Sequence, residues 1–342
     1  IMQMELKNLK NKKILYLYTG DHPVHRKFAE SVGADIKAMS WEIPKGYDIY
    51  FSEGEYTRLV IMKLLGKLEK KSKIIILLSD PRLFYLNTKY KFNSKTKSIK
   101  KISMVKKMIL KGMLGHADGI ICGSKFQDEL LAKFNNKIPR RVVYPFISKE
   151  RVISLGKVQP RLDSKSILFI GNGPDYYYKG IDKLLNVFRK LKIKYPDIVL
   201  NIVGEWDAKD SWKIKGVNFC GKQKSLENYF ERSAVYLHLG RGEAFGVTIV
   251  EAMAAGLPSF VSNLTGAKEI VSRADEEFIL SFDEDKIMQK LENYFELSLS
   301  KRNNLSDTFR KEGLKMNEKD MVKFFKSQFL DLEKEVYSSG KK

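Results

Sequence analysis

The sequence has few of the residues that make covalent or metal-based frameworks. Its 342 residues include 2 cysteines and 4 histidines. Cys122 and Cys220 lie far apart among apolar neighbours, which excludes a disulfide framework or a zinc site and predicts two buried thiols in a reducing compartment. Long hydrophobic runs are also missing: the longest aliphatic run, residues 74–78, is far shorter than the roughly 20 residues of a membrane-spanning helix. The first residues contain no apolar signal core. We therefore expect a cytoplasmic protein.

Acidic residues are missing from one long stretch. The net charge is +21, but residues 1–160 carry 32 basic and 14 acidic residues, whereas the rest carry 30 and 27. Between Asp80 and Asp118 there is no acidic residue and there are ten basic ones. A compositional lysine bias would be spread evenly along the chain, so this concentration predicts a polyanionic partner for the first half.

Part of that stretch has helical spacing. Within residues 99–111, Ile102, Val105 and Ile109 recur at helical intervals between lysines. Two interpretations remain open: an interfacial helix that places residues 82–114 on an anionic membrane surface, or a core helix with a solvated lysine face. No nucleic-acid-binding fold or aromatic platform is recognisable, so we do not expect a nucleic-acid partner.

The pattern of apolar runs predicts two α/β domains. At 43% hydrophobic and 30% charged residues the chain is globular, and 342 residues are many for one core. Short apolar runs bounded by turn residues alternate with amphipathic segments, which indicates parallel sheets covered on both faces. The predicted strands and helices occupy residues 13–18, 24–32, 48–51, 73–78, 119–122, 127–134, 141–144, 166–170, 181–191, 199–203, 217–219, 225–230, 235–239, 248–255 and 259–261. Residues 145–164 lose periodicity and are the predicted linker, and residues 287–336 are predicted to be helical.

The stretch from residue 240 to 258 has the strongest chemical pattern. A strand is expected to end near Leu239, where glycine-rich turns expose Glu243, and Gly246 immediately precedes a helix. A helix N-terminus behind a glycine is an anion site suited to a diphosphate. Glu251, further along the helix, could accept hydrogen bonds from vicinal hydroxyls. The alternative is a pair of surface glutamates on an ordinary capped helix.

This stretch resembles a known family. Glu-x-Phe-Gly-x4-Glu-Ala-Met-Ala-x-Gly-x-Pro, from Glu243 to Pro258, is similar to the motif of the group 1 nucleotide-sugar glycosyltransferases, family 4 of the retaining GT-B enzymes. Residues 169–185, 200–204, 217–221, 262–271 and 116–124 resemble further elements of that family. The resemblance covers residues 115–275 well. It implies a GT-B fold, in which two Rossmann-like doubly wound domains face a cleft, and residue roles follow from the matched positions.

The resemblance assigns a donor site. Glu251 would hold the ribose hydroxyls, Glu243 a hydroxyl of the donor sugar, and Lys179 the diphosphate leaving group, so that Glu243 and Lys179 are the catalytic candidates. The backbone of three residues, Phe245, Gly246 and Val247, would meet the phosphates. Gly171 and Gly204 end the matched strands. Asn172 stands where the family commonly has an arginine, and Arg241 is the possible substitute cation.

Candidates on the acceptor side are weaker. Gly20, His22 and Asp80 are expected near strand ends of the first domain and could face the acceptor, with a structural turn role as the alternative. Asp283, Glu284 and Asp285 formally match an Asp-x-Asp metal motif, but their acidic surroundings favour chance, and the histidines lack ligand spacing.

Together these patterns predict residues 1–150 as a Rossmann-like acceptor domain and residues 151–315 as a Rossmann-like nucleotide-sugar domain. Residues 316–342 are predicted as a helix that packs back towards the first. The expected activity is retaining, metal-independent transfer of a hexose from a UDP- or GDP-linked sugar to a hydroxyl of a glycan or lipid-linked acceptor, without a cofactor. The alternatives are transfer to a soluble sugar phosphate and a catalytically degenerate binding or scaffold subunit. The expected location is cytoplasmic, peripheral on the cytoplasmic membrane face.

Overall fold

The computed structural model describes residues 12–54, 56–78, 90–93, 98–134, 137–172, 175–207 and 209–338. Its strands are β1 (Ile14–Tyr18), β2 (Asp35–Ala38), β3 (Ile49–Glu53), β4 (Lys73–Leu78), β5 (Tyr90–Asn93), β6 (Ser98–Lys101), β7 (Gly119–Cys122), β8 (Arg140–Val142), β9 (Ser166–Ile170), β10 (Val199–Val203), β11 (Val217–Phe219), β12 (Val235–His238), β13 (Ser259–Ser262) and β14 (Ile279–Leu280). Its α-helices are α1 (Pro23–Ser31), α2 (Tyr56–Leu64), α3 (Met104–Gly115), α4 (Lys125–Ala132), α5 (Lys149–Leu155), α6 (Tyr176–Lys179), α7 (Ile181–Lys194), α8 (Glu227–Glu231), α9 (Val247–Ala254), α10 (Lys268–Ala274), α11 (Glu284–Glu296), α12 (Leu299–Leu314) and α13 (Glu318–Ser338).

The chain divides into two compact units. The first unit comprises residues 1–89, 102–145 and 319–342, and the second comprises residues 90–101 and 146–318. Each unit contains a six-stranded sheet whose strands all pair in parallel. The predicted α/β fold with two doubly wound sheets is therefore confirmed.

The sheet of the first unit has the order β2-β1-β3-β4-β7-β8. Its central strands are apolar without alternation, because helices cover both faces, and residues 74–78 of β4 are all buried. Helix α13 packs in this unit, where Phe325 stacks on Phe28 with ring centroids 4.3 Å apart and Phe329 meets Phe51 edge-on at 5.5 Å. Strand order reverses between β1 and β3, so the loops after these two strands flank the switch point at which doubly wound sheets bind ligands.

The sheet of the second unit has the order β11-β10-β9-β12-β13-β14. The chain runs outward from β9 to β11 and then returns to place β12 on the other side of β9. The switch point therefore lies between the carboxyl ends of β9 and β12. Those ends are followed by Gly171 and by the glycine-rich stretch that begins at Gly240.

The structure corrects four local predictions. The predicted linker contains a helix, α5, whose N-cap Ser148 accepts a hydrogen bond from the Arg151 amide. Residues 98–101 form a strand, so the predicted helix over residues 99–111 starts only at Met104. Ile102 precedes that helix and is buried, whereas Val105 and Ile109 are exposed, so these residues form no common buried stripe. Of the two cysteines, Cys122 is buried and Cys220 only half-buried.

Candidate functional site

At the ends of β9 and β10, two glycines bring the backbones of the strands close together. Gly171 donates its amide hydrogen to the Val203 carbonyl at 3.0 Å. Gly204 has φ +137°, and a Cβ there would lie 1.9 Å from the Gly171 carbonyl oxygen. Asn172 accepts a hydrogen bond from the Glu205 amide at 2.9 Å, which ties the two strand ends together. Neither predicted donor-binding glycine has room for a side chain, since a Cβ on Gly171 would lie 2.9 Å from Cζ of Phe169.

Lys179 is positioned by a short capped helix. Asp175 caps α6 by accepting the Tyr178 amide at 2.8 Å, and the Tyr178 hydroxyl donates to the Gly242 carbonyl at 2.6 Å. Gly180 follows Lys179 with φ +76°, and a Cβ at this position would lie 1.8 Å from the Leu239 carbonyl oxygen. These contacts hold Lys179 next to the chain that leaves β12.

Lys179 and Glu243, the two predicted catalytic residues, form an ion pair. The Lys179 Nζ lies 2.5 Å from Oε2 of Glu243, and both side chains are largely buried, with exposed fractions of 21% and 14%. Burial alone would raise the pKa of Glu243, but the charge of Lys179 and the hydrogen bonds from Lys179 and the Ala244 amide offset it, so the pKa lies below its ordinary value. Glu243 is therefore a fixed anion beside a fixed cation.

His238 completes this group and was not among the predicted site residues. Its Nε2 lies 3.8 Å from Oε2 of Glu243. The Gly240 amide donates to Nδ1 of His238 at 3.3 Å, so a neutral imidazole carries its proton on Nε2, facing Glu243. Burial lowers the pKa of His238 to about 4, which keeps the ring neutral near pH 7. The sequence signal that could have identified His238 is its place at the end of a strand, two residues before a glycine-rich turn.

Arg241, predicted to bind the donor, has partners of its own. Its guanidinium forms a two-point ion pair with Asp182, with both distances 2.7 Å, and donates to the Tyr177 carbonyl at 2.5 Å. It also lies 3.9 Å from the Tyr177 ring centroid. These contacts attach the β12–α9 loop to the segment that carries Lys179. Donor binding by Arg241 stays a prediction.

Gly246 shapes the N-terminus of α9. Its φ of +93° places it in the left-handed region, and a Cβ would approach Cδ1 of Ile249 at 2.7 Å. The first amides of any helix lack intrahelical acceptors, so the Val247 end of α9 presents donors together with the positive end of the helix dipole. The loop before it is braced at Phe245, whose carbonyl accepts from the Ala267 amide at 2.8 Å. This region can take a diphosphate.

Glu251 is joined to a residue in the predicted linker. Nε of Arg151, in α5, lies 3.1 Å from Oε1 of Glu251, and Nη1 of Arg151 lies 2.5 Å from Oε1 of Glu227. Nη2 of Arg151 is buried and has no hydrogen-bond partner in the described part of the chain. Burial raises the pKa of Glu251, and Arg151 offsets that rise only in part. Arg151 is thus a site residue that the sequence missed, because nothing in residues 145–164 indicated a helix.

The acceptor-side candidates lie in the first unit. Gly20 and His22 are exposed in the loop after β1, and Asp80 falls outside the described residues. His22 packs on His25 with ring centroids 4.8 Å apart, and Nδ1 of His25 contacts Oε2 of Glu53 at the end of β3. Burial lowers the pKa of His25 to about 3. Both loops flank the switch point, so a buried His25–Glu53 pair lies next to the predicted residues.

The acidic residues of the Asp-x-Asp match have structural partners. Asp283 caps α11 by accepting the Asp285 and Lys286 amides, Glu284 pairs with Lys183, and Asp285 pairs with Lys190. Across the described ranges, no group of three or more His, Cys, Asp or Glu side chains could hold a metal ion. Among the helices described, none is long and apolar enough to cross a membrane.

The fold and the site geometry define the class. Solved structures of the GT-B glycosyltransferase fold superpose on nearly the whole chain. A sucrose-phosphate synthase from Thermosynechococcus elongatus has a TM-score of 0.67 and 13% identity, covering 96% of this chain and 100% of its own. Anabaena HepE, solved with UDP and glucose, has a TM-score of 0.63 and 13% identity, covering 94% and 99%. The chain has the GT-B fold.

The family follows from sequence. Residues 155–312 match the family model described as glycosyl transferases group 1. An uncharacterized glycosyltransferase from Haemophilus influenzae is 33% identical over 128 residues, which are 35% of this chain and 36% of that protein. A phosphatidyl-myo-inositol mannosyltransferase from Mycolicibacterium smegmatis is 32% identical over 132 residues, 36% and 33% of the two lengths. The matches thus span about a third of these relatives. Residues 155–312, within the second unit, thus match the group 1 glycosyltransferase family, as the motif predicted.

Proposed function

We propose that this protein is a retaining, metal-independent glycosyltransferase. It moves a hexose from a UDP- or GDP-linked sugar to a hydroxyl of a glycan or lipid-linked acceptor, on the cytoplasmic face of a membrane. The observation that carries the proposal is the Lys179–Glu243 ion pair beside Gly246 and the N-terminus of α9, at the switch point of the second sheet. A fixed cation and a helix dipole at one place suit a departing diphosphate.

The proposed chemistry needs no protein nucleophile. The bond between the anomeric carbon and the phosphate oxygen breaks, and the nucleoside diphosphate leaves as an anion that Lys179 and the α9 amides stabilise. The acceptor oxygen bonds to the anomeric carbon from the same face, and its proton passes to the departing phosphate oxygen. Glu243, held ionised by Lys179, accepts hydrogen bonds from donor-sugar hydroxyls. Glu251 accepts those of the ribose, and no cofactor takes part.

A lipid-linked acceptor is favoured by two observations. The mycolicibacterial relative is named as a mannosyltransferase of phosphatidyl-myo-inositol, which is a lipid. The net positive charge of this chain is concentrated in its first 160 residues, where acidic residues are few and an anionic acceptor or its membrane would be attracted.

Calorimetry with UDP and GDP separates the roles of the two glutamates. Glu251→Ala should weaken nucleotide binding by about 10- to 100-fold, because hydrogen bonds to a charged group are worth roughly 1.5–3 kcal/mol. Glu243→Ala should keep nucleotide affinity and lower turnover with the sugar donor. The exposed Glu276 provides the control, as Glu276→Ala should change neither quantity. Unchanged nucleotide affinity in the Glu251 variant would refute the ribose assignment.

Transfer should also continue in the presence of a chelator. Lys179→Ala should cost about 2–4 kcal/mol of transition-state stabilisation, since Lys179 takes the electrostatic role that a metal has elsewhere. Activity that is lost with chelator and restored by Mn²⁺ would contradict metal independence.

A further inference from the structure

Helix α3 exposes an apolar face. Met104, Val105, Met108 and Ile109 are exposed by 68%, 65%, 69% and 55% of their surfaces. At about 100° per residue these four positions share one side of the helix, which we call the exposed face of α3. Leu114, the one buried residue of α3, lies on the opposite side. Large apolar side chains clustered on the surface of a soluble protein mark an interaction site.

Lysines border this face, and a neighbouring helix ends in two further exposed apolar residues. Leu64 and Leu65, at the end of the neighbouring helix α2, are exposed by 60% and 65%. By helical position, Lys106 borders one edge of the exposed face of α3 and Lys111 the other. Residues 104–115 contain no acidic residue. An apolar centre between lysines is the pattern of a helix that lies in a membrane interface.

We propose that the exposed face of α3, together with Leu64 and Leu65, inserts into the surface of an anionic lipid bilayer. The charge argues for lipid over a protein partner, because lysine side chains at both edges can extend to lipid phosphates while the apolar centre enters the acyl boundary. The proposal rests on the proposed function only in that a lipid-linked acceptor explains why the surface is present. The exposed face of α3 takes the place of the apolar residues predicted to meet the membrane from the sequence, because one of those, Ile102, is buried.

Sedimentation of the full chain with vesicles tests this surface. The protein should pellet with phosphatidylcholine vesicles that contain phosphatidylglycerol and not with phosphatidylcholine alone. Salt should reduce but not abolish binding, because screening acts on the lysines and not on the inserted side chains. Lys106→Glu with Lys111→Glu, and separately Val105→Ser with Met108→Ser, should each weaken binding at least about tenfold.

Matched controls lie in the second unit. Lys213→Glu with Lys215→Glu changes the net charge equally at exposed positions, and Ile193→Ser with Leu299→Ser removes two exposed apolar side chains. Neither pair should reduce binding by more than about twofold. Equal loss in the Lys213/Lys215 pair would overturn the proposal in favour of non-specific charge attraction.

Two further results would overturn it. One is full retention of the wild-type protein in the supernatant at low salt, which would favour a soluble anionic acceptor. The other is self-association that the Val105/Met108 variant abolishes, without vesicle binding, which would make a second copy of the chain the occupant. Nucleotide binding by calorimetry, measured on the same samples, keeps failure of this surface distinct from failure of the donor site.

Discussion

Glu243 is expected to have different partners before and after a donor binds. Without a donor, its charge is balanced by Lys179 at 2.5 Å, and each group offsets the cost of burying the other. A donor would bring a diphosphate to Lys179 and hydroxyls to Glu243, replacing one ion pair by two sets of charge-assisted hydrogen bonds. The pair therefore keeps Glu243 ionised, and holds both side chains in place until the donor arrives.

Removing Lys179 should reverse the way in which the charge of Glu243 makes the unfolding free energy depend on pH. In the wild type the lowered pKa of Glu243 contributes stability that is lost as the pH falls through that pKa. In Lys179→Met, burial alone would raise the pKa, so stability should fall as the pH rises. We expect the deficit in unfolding free energy to grow between about pH 4 and 7, to roughly 3 kcal/mol. Urea unfolding at several pH values measures it.

The double variant Lys179→Met with Glu243→Gln provides the control, because it lacks both ionisable members of the pair. Its deficit relative to Glu243→Gln should not change with pH. A deficit in Lys179→Met that is equally large at pH 4 and pH 7 would mean that packing of the lysine, and not the charge of Glu243, is responsible.

Arg151 should set the pH range of nucleotide binding. Burial raises the pKa of Glu251 and Arg151 holds it down, so Arg151→Met should raise that pKa further. A protonated Glu251 accepts ribose hydroxyls less well, so UDP or GDP affinity in the variant should begin to fall at a higher pH than in the wild type. Titration calorimetry between pH 5 and 8 tests this, with the exposed Lys149→Met on the same helix as control. A uniform loss at every pH would indicate a structural role alone.

At the scale of elements, the proposed donor site depends on how closely the ends of β9 and β10 approach each other. Gly204 and Gly221 both have positive φ, at +137° and +66°. A Cβ on Gly204 would collide with the Gly171 carbonyl, whereas a Cβ on Gly221 has nothing within 4 Å. Backbone strain is thus common to both substitutions, and steric overlap is confined to Gly204.

This difference gives a matched pair of variants. Gly221→Ala should lower the unfolding free energy by about 1 kcal/mol, the cost of a left-handed conformation. Gly204→Ala should cost roughly 3 kcal/mol and weaken nucleotide binding, because the β9 and β10 ends must separate. Urea unfolding and calorimetry measure both effects, and equal losses in the two variants would exclude the steric explanation.

The elements that could be predicted from the sequence are those whose burial in the fold leaves a clear pattern of apolar residues. The bounds of β4, β7, β9, β10 and β11 match the structure because buried parallel strands are short apolar runs between turn residues. It missed β2, whose residues are mostly exposed, and α5, whose seven residues are too few for periodicity to stand out. Arg151 was missed for the same reason.

The predicted donor-site motif could be recognised in the sequence because its spacing lies within one loop and one helix. The contacts among its members were not predictable, since they join distant segments: Lys179 to Glu243 across 64 positions, and Arg151 to Glu251 across 100. His238 faces Glu243 because of the turn at Gly240, a backbone conformation that residue types alone do not specify.

At the scale of the whole molecule, α13 supplies part of the core of the first unit. Phe325 is fully buried and contacts rings of both α1 and β3. Phe325→Ala should therefore lower the stability of the first unit by about 3–5 kcal/mol, the usual cost of such a core cavity.

Hydrogen exchange read by peptide can locate that loss. Protection should fall in β1, β3 and β4, while β9, β12 and α9 keep theirs, because Phe325 belongs to the first unit. Nucleotide binding should persist in the variant for the same reason. Loss of protection across both units would show that they unfold together.

The path of the chain also has a consequence for its synthesis. The second unit is complete once Glu318 has been made, whereas the first unit still lacks the helix that carries Phe325 and Phe329. At 5–20 residues per second the ribosome needs roughly 10–40 s to proceed from Pro145 to the end of α13. During that interval the apolar surfaces of Phe28 and Phe51 have no cover from their final partners, so the nascent first unit is the part of this chain that a chaperone would bind.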